Sequence, residues 1–215
     1  MTLKIANTSH KDITAFNIAI KETYADGRVD KHELLEELVG KILAFQELQG
    51  TSHEASFRKQ YGDGAFHPGE VHDEIVPVQP GFTNIEAVID VVTYIDGTAD
   101  WANDAALERI VDERKATVAS KKMATEIIKT ALADPNDKEP SMTAAKKIQD
   151  QATVWRRSHT KMDVDPVVLE SIANEVKTVS SPNKRDALKQ IVDREEAKIS
   201  MLSVHAAVVK NGGPQ

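Results

Sequence analysis

Apolar residues recur every three or four positions along much of the chain, which is the spacing of one buried face of an α-helix. Near the N-terminus this spacing runs through Ile13, Phe16, Ile20 and Tyr24, and it returns over residues 83–210. Leu, Ala, Glu and Lys, which favour helices, are common throughout. The pattern therefore predicts an all-α protein.

Turn and capping residues divide this pattern into about seven to eight helices. Asp26-Gly27 and Asp96-Gly97 interrupt it, whereas Asp165-Pro166 and Ser181-Pro182 place a capping residue before a proline at the first helical position. We predict repeated helix–turn–helix hairpins, one long irregular loop near 62–82, which is rich in Gly and Pro, and a long C-terminal helix.

The predicted organisation has four parts. They are an N-terminal helical hairpin over 1–61, the irregular loop over 62–82, a helical bundle over 83–210 and a loose tail over 211–215.

Two of the predicted turns are similar in sequence. Residues 23–30 and 93–100 are identical at five of eight positions, and each segment lies between two apolar patterns. The similarity favours duplication of a hairpin, whereas chance similarity between short segments is the alternative.

Composition narrows the class of protein. The chain has 215 residues, a net charge of −7 and no cysteine, which excludes disulfides, thiol nucleophiles and cysteine zinc sites. Residues 1–12 contain no apolar run, and no stretch of about 18 apolar residues occurs anywhere. We expect a cytoplasmic protein, or one within a virus particle assembled there, and no membrane partner.

The first repeated turn resembles an EF-hand calcium loop. Asp26, Gly27, Asp30 and Glu33 fall at positions 5, 6, 9 and 12 of a loop counted from Glu22. The resemblance implies a calcium site at Asp26, Asp30 and Glu33, although position 3 is a tyrosine and supplies no carboxylate. The alternative is a simple turn followed by a helix cap, and no other cofactor is indicated.

A second candidate site is basic. Cations and an aromatic ring can hold phosphates and stack on a base, which makes this segment a candidate contact for nucleic acid or another anion. The alternative is an ordinary helix with a basic outer face. The residues are Lys146, Lys147, Trp155, Arg156, Arg157 and Lys161.

The last predicted helix carries a heptad-like apolar seam. Such a seam either packs inside a bundle or forms an interface between copies. Its residues are Leu188, Val192, Ile199, Leu202, Ala206 and Val209.

No catalytic signature is found, so we expect a protein that is not an enzyme. The leading hypothesis is a structural or assembly protein that acts through protein–protein contacts, self-association above all. The acidic, cysteine-free composition is typical of virus or phage particle proteins. A regulatory binding module, for a cation or a partner helix, and a nucleic-acid-associated protein are the alternatives.

Overall fold

The computed structural model describes residues 1–157, 163–179 and 183–210, and it is a mixed α/β protein. The prediction of an all-α fold, and with it the helical hairpin over 1–61, is therefore wrong. In chain order the elements are β1 (Thr2–Ala6), β2 (Ile13–Tyr24), β3 (Val29–Glu37), α1 (Val39–Leu48), α2 (Glu54–Tyr61), β4 (Val71–Ile75), β5 (Phe82–Tyr94), β6 (Thr98–Trp101), α3 (Asp104–Ala133), α4 (Pro140–Arg157), α5 (Pro166–Lys177), α6 (Lys184–His205) and β7 (Val209–Lys210).

The chain divides into two units. The first comprises Met1–Ile110 together with the chain from Ala207, and the second comprises Val111–Ala206. All the strands lie in the first unit, and the second is helical. The predicted bundle over 83–210 therefore begins too early, because residues 82–101 form two strands.

The first unit contains a five-stranded sheet in the order β3-β2-β5-β6-β7. All neighbours are antiparallel except β6 and β7. Strand β2 lies between β3 and β5 and is buried on both faces, which explains why its apolar residues lack a clean two-residue alternation. Phe16, Ile18 and Ile20 pack on one face, and Ala15 packs on the other.

A second, two-stranded sheet of β1 and β4 occupies part of the predicted irregular loop. Ile5 of β1, together with Phe66 and Val76 of the predicted loop, packs in one core with Phe16 and Ile18 of β2. The loop over 62–82 is thus partly a strand and forms one wall of the core.

The opposite face of the large sheet is covered near one end by the start of α3, where Ala106 and Ile110 pack against Ala15. A polar pair lies beside this contact: the Asn17 amide donates to Asp90 at 2.8 Å. Asp90 is the extra residue of a β-bulge, because the partners of β5 on β2 shift between Val91 and Ile89.

In the helical unit, α5 begins at the capping residue and the proline that the sequence predicts. Asp165 caps α5 by accepting a hydrogen bond from the Val167 amide at 2.8 Å, and Pro166 occupies the first helical position. Ile128, Ile148, Leu169 and related side chains from all four helices form its core.

Candidate functional site

One edge of the large sheet is open. β6 pairs with β5 only at Val91–Thr93, and the chain then leaves the sheet and enters α3. The Ala102 amide marks this exit by donating to the Asp90 carbonyl at 2.8 Å. Within the described residues, the backbone of residues 82–89 is therefore paired with β2 alone. We call this segment the β5 edge.

The β5 edge is apolar as well as open. Val88 is 59% exposed and Ile89 is 44% exposed, although they lie on opposite faces of the strand, and Ala87 between them is also exposed. Unpaired backbone groups flanked by exposed apolar side chains form a template onto which another strand can add.

The other strand edges in the described residues carry the features that prevent pairing. β3 contains Asp30, Lys31 and Glu33, β4 contains Asp73 and Glu74, β1 has five residues that include Lys4, and β7 has two residues. Charged side chains and short length are the usual protection of an edge strand. The β5 edge spans residues 82–89 and has Glu86 as its single charged side chain, so it is the strongest candidate for an interaction site.

The sequence pattern does not reveal this edge, because Ile85, Val88, Ile89 and Val92 also fit the helical spacing predicted over residues 83–210. The available signal was composition. Residues 82–94 are rich in Val, Ile and Thr and end at an Asp-Gly pair, which together favour a strand followed by a hairpin turn.

The two similar turns are β-hairpin turns, and the prediction that each joins two helices is wrong. Gly27 and Gly97 have φ values of 83° and 80°, and their amides donate to the carbonyls of Tyr24 and Tyr94 at 3.0 and 3.1 Å. The repeat therefore corresponds to a repeated local structure, because β2–β3 and β5–β6 turn in the same way.

The predicted calcium ligands lie apart along the first hairpin. Asp26 accepts a hydrogen bond from the Arg28 amide, Asp30 pairs with the Arg28 guanidinium, and Glu33 pairs with Arg109 of α3. In the part of the chain that the structure describes, no three acidic or histidine side chains form a group that could hold a metal ion. The structure thus offers no support for the calcium hypothesis.

Within the described residues, only some side chains of the basic segment are exposed and free of internal contacts. Lys146, Lys147 and Arg157 are exposed on α4. Arg156 pairs with Glu170 at 2.7 Å, and Trp155 is half-buried against the helical core. Lys161 lies outside the described residues. The aromatic ring that a stacked base would need is therefore engaged within the protein.

The heptad-like seam points inward. Leu188 and Val192 belong to the core of the helical unit, and Leu202 and Ala206 are also buried. Ile199 is half-buried, and Val209 lies in β7, so the prediction that the last helix reaches residue 210 is wrong. The buried members of the seam stabilise the unit and do not form an exposed surface.

His67 joins the loop after α2 to the segment that precedes β2. Its Nδ1 lies 2.8 Å from Asp12, and its Nε2 lies 2.9 Å from Asp63. The hydrogen bond with Asp12 is the largest cause that raises the pKa of His67, burial opposes it, and Asp63 adds to it. Both ring nitrogens are occupied, so His67 is arranged as an ionic clasp and not as a catalytic base.

A buried carboxylate lies under the first hairpin. Glu22 is 1% exposed, and its Oε2 accepts the Tyr24 hydroxyl proton at 2.5 Å. This hydrogen bond is the main reason why the pKa of Tyr24 is raised to about 12. His32 Nε2 lies 3.9 Å from Glu22 Oε1, and neither atom has a hydrogen-bond partner among the described residues.

A cavity of about 520 Å³ lies beside α1 and α2. Its charged lining groups are already satisfied: Lys41 pairs with Glu36, Arg58 with Glu54, and Asp63 with His67. These internal pairs indicate no particular class of ligand.

Comparison of the chain with protein-family models, curated proteins and solved structures finds no match. Among the described residues, no helix is both long and apolar enough to cross a membrane.

Proposed function

We propose that this protein is a non-enzymatic assembly protein that works through protein–protein contacts, and first through contacts between its own copies. The observation that carries the proposal is the β5 edge, an open and apolar strand edge in a sheet whose other edges are protected. Membership of a virus or phage particle is compatible with this role and rests on composition alone.

Strand addition at the β5 edge would be stabilised by backbone hydrogen bonds and by the burial of apolar side chains. Backbone N–H and C=O groups of the incoming strand would pair with those of residues 82–89. Val88 and Ile89 would also lose contact with water, and full burial of a side chain of this kind contributes roughly 1.5–3 kcal/mol. Part of this gain is offset by the entropy lost on association.

The test is the effect of an edge lysine on molecular mass in solution. A lysine at position 88 would place a charge at the edge and oppose pairing, because this is how natural edge strands avoid association. Val88→Lys is compared with Val29→Lys, since both valines are exposed on strands and both changes add the same charge.

We expect the wild-type chain and Val29→Lys to increase in mass with concentration in sedimentation velocity, while Val88→Lys keeps the mass of one chain. A wild-type protein that stays a single chain at every concentration contradicts the proposal. Equal association of the two lysine variants would show that the contact lies elsewhere.

A further inference from the structure

The β5 edge carries almost no charge of its own. Glu86 is the single charged residue among residues 82–89, and it pairs with Lys21 of β2 at 3.1 Å. A strand that adds here therefore meets a neutral, apolar surface and needs no complementary charge. The β5 edge of a second copy has this chemistry, although the whole chain carries a net charge of −7.

The open edges of the sheet differ in a way that limits the mode of assembly. Head-to-tail growth would require the β5 edge of one copy to pair with the edge of β3 or β7 in the next. β3 presents several charged side chains, and β7 has two residues. A contact between two identical β5 edges is self-complementary and closes after two copies.

Strand geometry restricts the register of such a pair. Ile85, Ala87 and Ile89 share one face of β5, because they lie opposite Glu22, Ile20 and Ile18 of β2. Asn84, Glu86 and Val88 share the other face. Directly opposed residues in antiparallel strands lie on the same face of a sheet. A two-fold axis perpendicular to the sheet must therefore pass beside one residue and its own copy.

Charge and side-chain size select among the possible centres. An axis at Glu86 would place the two copies of Glu86 directly opposite each other. An axis at Val88 would place Glu86 of one copy opposite Asp90 of the other. Both arrangements are unfavourable, because like charges directly opposite each other are destabilising. An axis at Ile85 would place Ile89 opposite Gly81, outside the strand.

An axis at Ala87 brings no like charges directly opposite each other and keeps Ile85 and Ile89 opposite residues within the strand. It places Ile85 opposite Ile89 twice and Glu86 opposite Val88 twice, with the two alanines at the centre. Apolar pairs then lie on one face, and Glu86 of each copy keeps its own Lys21. We infer that β5 pairs antiparallel with β5 of a second copy, with Ala87 on the two-fold axis. This inference rests on the proposed function.

The cysteine-free chain allows a direct test by single-cysteine cross-linking. Opposed Cα atoms in an antiparallel pair lie about 4.5–5.5 Å apart, which is within the range for a disulfide. Ala87→Cys should therefore form a disulfide-linked dimer under mild oxidation. Asn84→Cys is the matched control, because its two copies would be six residues apart along the strand, or roughly 20 Å.

The expected result is rapid dimer formation by Ala87→Cys, slow or no dimer formation by Asn84→Cys, and loss of the Ala87→Cys cross-link when Val88→Lys is added. If the wild-type chain associates but the two cysteine variants cross-link equally or not at all, the register is overturned and the proposed function stands. If the wild-type chain never associates, both proposals are overturned.

Discussion

Gly64 lies against the backbone of Lys41 with no room for a side chain between them. A Cβ atom on Gly64 would lie 2.4 Å from the Lys41 carbonyl carbon, and Gly64 also has a φ of +88°. Both the close approach and the left-handed backbone require glycine. The contact fixes the loop after α2 against α1.

Replacement of Gly64 by alanine should therefore destabilise the first unit. The left-handed conformation alone costs about 1–2 kcal/mol for a residue with a Cβ, and the clash with Lys41 adds to this. Gly40→Ala is the control, because Gly40 lies in α1, has open space around it and has no positive φ. Urea unfolding should show a large loss for Gly64→Ala and no loss for Gly40→Ala. Equal stabilities would contradict the described packing.

The clasp at His67 predicts a dependence of stability on pH. Because the pKa of His67 is raised above its usual 6.5, the charged ring contributes stability that is fully present below that value. The contribution is lost as the pH rises through the raised pKa of the folded protein. His67→Gln should therefore destabilise the protein more at about pH 5.5 than at about pH 8. His10→Gln, at an exposed position, serves as the control for a general effect of histidine loss.

The buried pair of Glu22 and Tyr24 predicts a change in tyrosine titration. Glu22→Gln preserves the shape of the side chain and removes the negative charge that the Tyr24 hydroxyl faces. The pKa of Tyr24 should then fall from about 12 towards 10. The pKa of Tyr94, raised to about 12 by burial and by its hydrogen bond with Asp100, should stay unchanged. Phenolate absorbance during alkaline titration measures both, and Tyr24→Phe identifies the affected group.

The helical unit contains a buried ion pair that predicts a large mutational effect. Glu195 is buried and accepts hydrogen bonds from Lys121 at 2.6 Å and Lys198 at 2.8 Å. Burial raises the pKa of Glu195, but the hydrogen bonds and charges of the two lysines lower it by more, so the net shift of the pKa is downward. Lys121→Met should cost about 3 kcal/mol, since Lys198 remains to hold the buried charge.

Lys129→Met is the matched control for that variant. Lys129 bridges Glu126 and Glu196 on the outside of the unit, where solvent weakens ion pairs. Chemical unfolding should show a much smaller loss for Lys129→Met. A loss as large as that of Lys121→Met would mean that burial does not set the strength of these pairs.

The sequence pattern predicts the helical half of the chain better than the half that contains the strands, and the reason is physical. Helices after residue 103 have capping residues or prolines that determine where they begin, so the predicted start at Asp165-Pro166 agrees with α5. In β2, Phe16 and Ile20 lie four residues apart, a spacing that one face of a strand shares with one face of a helix, and Ala15 on the opposite face is also buried. A strand buried on both sides cannot be separated from a helix by periodicity alone.

The candidate interaction site could not be predicted for a related reason. Exposure of Val88 and Ile89 results from the early departure of β6 from the sheet, which is a property of chain path and not of local pattern. The Asp-Gly pairs favour hairpin turns, because this dipeptide between two apolar segments is a strong hairpin signal.

The contact between Asn17 and Asp90 has a consequence for how the sheet aligns as it forms. Apolar side chains lie on both faces of β2. A shift of this strand by one residue would bury nearly as much apolar surface as the observed alignment, so hydrophobic burial alone favours the observed alignment only weakly. The amide and carboxylate meet in one alignment only. This polar pair therefore favours the observed alignment over a shifted one, and we expect its loss to increase misaligned product.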